Sequence, residues 1–351
     1  YLGAGVERGY SLQFYQKTDM QFPYSLLCRT ELIRQMNFLG SSNIPFFFLV
    51  DFEGRHGYMI ECNDLNKDYI RFELSTGHCP KGSNSHNRSL DIKWEIAPVD
   101  FETYQMKFDF VMDNIRRGNS YLLNLTQPTF VDTNLNLKDI YELSVSKYKL
   151  WVKDSFTVFS PETFVKIEEG KISTYPMKGT IDASVTNAEE MILNDLKEQA
   201  EHATIVDLLR NDLSKVAEKV EVKKYRYIDR LYTHRNELLQ TSSEIIGQLP
   251  ENYCSHLGDI IFSMLPAGSI SGAPKRKTIE IIREVEEYER GFYTGIFGQF
   301  DGRNLDSAVM IRYIEQKGEH VIFKSGGGIT SFSDCLKEYR EMLAKAYVPI
   351  Y

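Results

Sequence analysis

Cysteine is scarce and unpaired in this chain: Cys28, Cys62, Cys79, Cys254 and Cys335 are odd in number and show no Cys-x-x-Cys spacing. That excludes a zinc pattern and a disulfide framework, and it points to a reducing cytoplasm with thiols serving as small core hydrophobes. Long apolar runs are missing as well; the longest candidate, residues 44–50, is strand-sized, so no membrane span is expected. The N-terminus lacks the basic-then-apolar pattern of a secretory signal. Positive charge is not in excess, and a formal net charge of −8 argues against nucleic acid as the main partner. No internal repeat and no low-complexity stretch is visible.

What is present is ample core material: 42% hydrophobic residues in 351, with strand and helix patterns alternating irregularly. Residues 45–52 read as a buried strand, followed by strands at 57–60 and 69–74, while residues 81–88 are polar and loop-like. Phe101, Tyr104, Phe108, Val111 and Ile115 recur at helical steps, with Gly118 as the stop. Residues 121–126 are a strand in which Asn124 interrupts an apolar run. A buried Asn124 needs hydrogen-bond partners; an outward-facing one does not.

The chain is organised around residues 175–180, Tyr-Pro-Met-Lys-Gly-Thr. Residues 163–167 and 171–175 flank Glu168-Glu169-Gly170, a hairpin signal. That hairpin brings Glu162, just before it, toward Lys178, just after it. A carboxylic acid and a lysine in one cleft serve as proton donor and nucleophile, or equally as a structural ion pair. A lysine used as a nucleophile needs its free amine populated near neutral pH.

Two helical stretches carry carboxylates three residues apart, hence on one face: Glu198 and Glu201 within 188–209, broken near Asn194, and Glu338 and Glu341 in a helix starting near Ser333. If they converge, they form a hard-oxygen site suited to Mg2+; separately, each is a solvated face. Two small-residue loops, 267–275 and 326–328, present backbone N–H groups to an anion. The first leads into a helix over 277–289. A hairpin around Gly302 joins 292–301 to 306–314, and residues 320–325 add a strand.

Taken together, Ser160-Pro161-Glu162, the lysine motif at 176–180, Glu201-His202 with 206–212 (Val-Asp-Leu-Leu-Arg-Asn-Asp), 268–275 and Gly326-Gly327-Gly328 resemble the chorismate-utilising enzymes. The resemblance is strong over about 101–347 and weak before it. It implies an α+β fold: a large antiparallel β-sandwich with helices packed outside, to which residues 1–100 contribute strands while 101–351 form the chorismate-binding catalytic region. It implies that Lys178 attacks C2 of chorismate as the 4-hydroxyl leaves, and that Glu162 is the general acid/base. Glu201 and Glu341, with Glu198 and Glu338 as close partners, match the Mg2+-binding glutamates. Tyr293 and Arg312 match a pair that grips the enolpyruvyl carboxylate, a task suited to a forked guanidinium. Ser269, Ser271, Gly272, Gly326, Gly327 and Gly328 match substrate-cradling backbone, with Thr180 and Asn124 on the substrate-binding wall.

Two positions choose between branches of this family. Anthranilate synthases carry alanine where Lys178 stands, and isochorismate and salicylate synthases carry a water-activating lysine where Leu122 stands. Lysine at 178 with leucine at 122 therefore implies amination at C4, giving 4-amino-4-deoxychorismate on the way to 4-aminobenzoate and folate. Gln240 departs from the histidine of many members. No Gly-x-Cys-x-Gly nucleophile motif is present, so a separate glutaminase subunit is the implied ammonia source. A non-catalytic subunit that binds chorismate or tryptophan is the alternative outside enzymology.

Overall fold

The computed structural model describes residues 22–75, 92–232 and 237–349. Cys79 and the polar stretch 81–88 lie outside the described residues.

The strand Phe46–Val50 shows how the layers arise. All five of its side chains are buried, which an antiparallel strand achieves only when both faces of its sheet are covered. Phe46, Phe48 and Val50 join one apolar cluster with helical residues such as Leu32, Val111 and Ile261. Phe47 and Leu49 join another, with Leu150, Val158 and Tyr313 of the opposite sheet. The side-chain period of two thus splits one strand between a helix-facing layer and the sandwich interior. Each buried Phe contributes about 2 kcal/mol.

Every pairing of strands among the described residues is antiparallel. One ten-stranded sheet runs from Leu27–Cys28 through His56–Glu61, Phe46–Val50, Ile296–Phe300, Leu305–Val309, Thr163–Glu168 and Lys171–Thr174 to Glu237–Gln248. The last strand pairs Met177–Asp182 along the same edge as Lys171–Thr174 and pairs Glu218–Tyr232 along the other. The eight-stranded sheet centres on Leu122–Thr133, His320–Ile329, Tyr313–Lys317 and Phe156–Ser160. Its outer face is covered by the helix Leu137–Leu143, through Leu137, Ile140 and Tyr141. The arrangement is the α+β sandwich with outer helices expected from the sequence. Strands from the first hundred residues sit in both sheets: Phe46–Val50 pairs Ile296–Phe300, and Ile70–Glu73 pairs Tyr148–Val152.

Local chemistry sets the helix ends. Asp100 caps Phe101–Arg116 by accepting from Thr103 N at 2.8 Å, and Gly118, at φ 76°, lets the chain leave. The break expected near Asn194 falls at Asp195. Its backbone closes Ala188–Asn194, and its carboxylate accepts from Glu198 N to start Leu196–Leu213.

Three expectations need correction. Residues 306–314 are not one strand: Leu305–Val309 belongs to the first sheet and Tyr313–Lys317 to the second, the chain crossing where Arg312 adopts φ 54°. The helix placed at 277–289 is Lys275–Glu286, because Pro274 supplies the stiff extended turn just before it. Gly326-Gly327-Gly328 is not a loop but part of His320–Ile329, paired with Thr126, Leu125 and Asn124. A β-carbon on Gly326 would lie 2.3 Å from Leu125 O, so these glycines allow close strand approach.

Candidate active site

Lys178 stands on Met177–Asp182, opposite Thr241, and its carbonyl accepts a hydrogen bond from the Thr241 hydroxyl. The register shifts between Lys178 and Thr180, a bulge centred on Gly179 at φ 71°. A β-carbon at Gly179 would lie 3.0 Å from Glu198 Oε2. The glycine thus admits the helix Leu196–Leu213, whose Glu201 Oε2 lies 3.3 Å from Lys178 Nζ. From the other sheet Gly328 approaches: a β-carbon there would lie 3.2 Å from Lys178 Nζ and 3.1 Å from Leu122 Cδ1.

Glu162 follows Phe156–Ser160 and is held by its backbone, N to Ser160 Oγ at 3.1 Å and O from Val309 N at 3.1 Å. Its carboxylate accepts from the Ser269 hydroxyl. Burial pushes the Glu162 carboxyl above its usual range, against the Ser269 hydrogen bond and the charges of Lys178 and Lys147. The hairpin Thr163–Glu168/Lys171–Thr174 therefore does bring Glu162 and Lys178 within electrostatic reach, as the sequence suggested.

The small-residue segment 267–275 contains a one-turn helix, Gly268–Ser271, and a short strand, Gly272–Ala273, paired with Leu122 and Leu123. The Ser271 hydroxyl donates to Ala267 O at 2.8 Å and is buried, so this side chain braces the turn. Of the two readings left open for Asn124, the half-buried side chain takes the hydrogen-bonding one, donating through Nδ2 to Ile270 O at 3.2 Å. The Thr180 hydroxyl accepts from Gln240 Nε2 at 3.4 Å.

The last helix, Cys335–Ala344, presents Glu338 and Glu341. Glu338 is buried, accepts from Ser333 Oγ at 2.7 Å, and lies 3.4 Å from where a Gly327 β-carbon would sit. Glu341 pairs with Lys345 at 2.7 Å, whose Nζ also donates to Gly326 O at 2.9 Å. Burial pulls the Lys345 amine down, with Glu341 opposing. Among the described residues no three His, Cys, Asp or Glu side chains converge as a metal cage. The four glutamates are hard-oxygen groups of the kind Mg2+ takes in small number beside waters and substrate oxygens.

Tyr293 is buried and its hydroxyl is pushed up by burial. Arg312 donates from Nη1 to Lys345 O at 2.5 Å and lies 5.0 Å from the Tyr347 ring centroid. Burial lowers the Arg312 guanidinium, with the Tyr347 and Tyr293 rings and Glu341 opposing. The two members of the proposed carboxylate grip therefore sense each other, while the C-terminal segment engages the guanidinium.

Sequence reasoning assigned no role to three groups here. His202, fully buried beside Glu201, bonds Ser243 Oγ through Nε2 at 2.7 Å, and burial with the Arg226 and Lys178 charges pulls it down to about 4. It is a neutral imidazole at pH 7. Arg290 forms a buried pair with Glu286 at 2.6 Å and donates to Ile270 O and Asn124 O, tying the small-residue segment to the central strand. Asp212 and Lys275, 2.6 Å apart, link the far end of the Glu201 helix to the same segment. Only the spacing of 206–212 and 268–275 hinted at that pairing.

The model for the family described as chorismate binding enzyme matches residues 47–350. An uncharacterized PabA-like protein of Haemophilus influenzae is 50% identical over 91% of this chain and 96% of its own length. A second, from Pasteurella multocida, is 47% identical over 91% of this chain and 98% of its own. Anthranilate synthase component 1 of Acetivibrio thermocellus is 33% identical over 74% of this chain and 58% of its own. Among solved structures, a Bacillus anthracis protein described as a 2,3-dihydroxybenzoate-specific isochorismate synthase matches with TM-score 0.68 at 18% identity, covering 92% of this chain and 89% of that one. Anthranilate synthase component I of Streptococcus pneumoniae matches with TM-score 0.64 at 22% identity, covering 94% and 81%. On the extent of the family match and the length shared with its relatives, this chain belongs to the chorismate-binding enzyme family.

Proposed function

We propose that the chain aminates chorismate at C4, giving 4-amino-4-deoxychorismate, with ammonia delivered by a separate glutaminase subunit. The observation that carries this reading is the placement of Lys178 between Glu201 and Gly328, within electrostatic reach of a half-buried Glu162. An anthranilate synthase reading draws on the relatives of that name, and a lysine at this point counts against it.

After giving a proton to solvent, Lys178 bonds through its free amine to C2 of the ring, the ring double bonds shift, and the C4–O bond breaks. The oxygen departs as water, carrying the proton held by Glu162. A carboxylic acid raised by burial retains that proton nearer neutral pH, which is what a general acid requires. Ammonia then bonds to C4, the double bonds shift back, and the Lys178–C2 bond breaks. Tyr293 and Arg312 orient the enolpyruvyl carboxylate, the guanidinium exchanging its bond to Lys345 O for one to substrate. Leu122 keeps an apolar wall beside Gly328 and Lys178, with no group there to activate water at C2.

Glu201 and Glu341, with Glu198 and Glu338 beside them, are the residues that would hold Mg2+. When bound, the ion supplies positive charge to the ring carboxylate of chorismate. Product analysis tests the reading: purified protein with chorismate, Mg2+ and ammonium should form 4-amino-4-deoxychorismate. Anthranilate or isochorismate would place it in another branch, and binding without turnover would favour a regulatory subunit.

A further inference from the structure

Ser269 matches a segment whose backbone cradles substrate, yet its side chain is turned to another task. Its hydroxyl donates to Glu162 Oε1. We propose that Ser269 is the positioning residue of the general acid: it occupies one carboxyl oxygen and leaves Oε2 to carry the proton given to the departing hydroxyl. The inference rests on the reading of Glu162 as that acid.

Both partners are fixed before substrate arrives. Glu162 is pinned through its own backbone at Ser160 and Val309. Ser269 sits on the one-turn helix Gly268–Ser271, which is braced from three directions. Ser271 Oγ closes the turn on Ala267 O. Ile270 O accepts from Asn124 Nδ2 at 3.2 Å and Arg290 Nη1 at 3.0 Å. Gly268 lies against Asp212, so close that a β-carbon would stand 3.0 Å from Oδ2, and Asp212 is locked to Lys275. A hydroxyl held this way fixes the carboxyl plane at no reorganisation cost during the reaction.

Three side chains act on the Glu162 carboxyl. Ser269 comes from the one-turn helix, Lys178 from Met177–Asp182, and Lys147 from the segment preceding Tyr148–Val152, where its Nζ donates to Thr163 Oγ1 at 2.8 Å. The lysine charges and the hydroxyl all favour the carboxylate, while burial opposes them. Removing the hydroxyl therefore moves the Glu162 transition to higher pH, and the alkaline fall of kcat follows it.

The test compares Ser269→Ala, Ser269→Thr and Glu162→Gln with the parent in one buffer series, so that the ammonia equilibrium is common to all. The expected result for Ser269→Ala is kcat lowered about 10- to 100-fold, the scale of misplacing a reacting group. KM should stay within about twofold, the alkaline limb should shift upward, and Ser269→Thr should restore most of kcat. A raised KM with kcat intact would overturn the proposal and make Ser269 a substrate contact. Unchanged kcat and pH profile would overturn it as well. If Glu162→Gln turns over like the parent, the acid itself is misassigned, a failure separate from that of Ser269. Should Ser269→Ala not fold, Ser269→Cys, similar in volume but a weaker donor, gives the same readings.

Discussion

Lys178 Nζ lies 3.3 Å from Glu201 Oε2, joining the bulged strand to the second turn of the helix Leu196–Leu213. The carboxylate is 7% exposed and the lysine 24%. On the proposed lysine route this ion pair would open for the amine to reach a ring carbon, and Glu201 would serve both the resting lysine and the proposed metal. Glu201→Gln keeps the shape and removes the charge. Its affinity for Mn2+, standing in for Mg2+ and followed by electron paramagnetic resonance, should fall at least about tenfold, a scale seen even for disturbed outer-shell contacts. Unchanged affinity would remove Glu201 from the metal site.

The glycines of His320–Ile329 separate folding from function. A β-carbon at Gly326 meets Leu125 O at 2.3 Å, a backbone clash that the paired strand cannot relieve. At Gly328 the neighbours are the ends of two side chains, Leu122 Cδ1 at 3.1 Å and Lys178 Nζ at 3.2 Å. Gly326→Ala should therefore lose about 1–3 kcal/mol of stability in urea unfolding, the usual cost of overpacking. Gly328→Ala should unfold near the parent midpoint while losing turnover, because it displaces the amine of Lys178.

His202 makes the fold sensitive to acid. Its folded-state value of about 4 lies below the ordinary 6.5, so the unfolded chain binds the proton more readily between the two. The stability it contributes is complete above about pH 6.5 and is lost as pH falls toward 4. The magnitude is on the order of 3 kcal/mol at most. Urea midpoints measured across that range should fall with acid in the parent, and the fall should be shallower in His202→Asn.

Much of this was legible in the sequence because it rests on local chemistry. The hairpin around Glu169-Gly170, the capped helix ending at Gly118 and the break beside Asn194 all follow from turn residues and caps. The proximity of Glu162 and Lys178 follows from the hairpin. What was not legible depends on partners far along the chain. Three consecutive glycines read as a loop until the strand Leu122–Thr133 is seen pressed against them. The Ser269 side chain has no local signal, since Glu162 is 107 residues away. Arg290 and Glu286 look like a surface helix pair, four residues apart, yet both are buried beneath the central strand. The two carboxylate pairs lie on helix faces as their spacing required, but the packing of two distant helices, which no local pattern encodes, brings no three carboxylates together among the described residues.

The most direct test of the account is the rate of 4-amino-4-deoxychorismate formation by Lys178→Ala beside the parent, with chorismate, Mg2+ and ammonium. Glu162, Glu201 and the glycine strand remain in place in that variant, so the measurement isolates the amine. The lysine route predicts a loss of at least about 100-fold, or ~2.7 kcal/mol of barrier. A variant that makes the same product within about twofold of the parent rate would contradict covalent attack by Lys178.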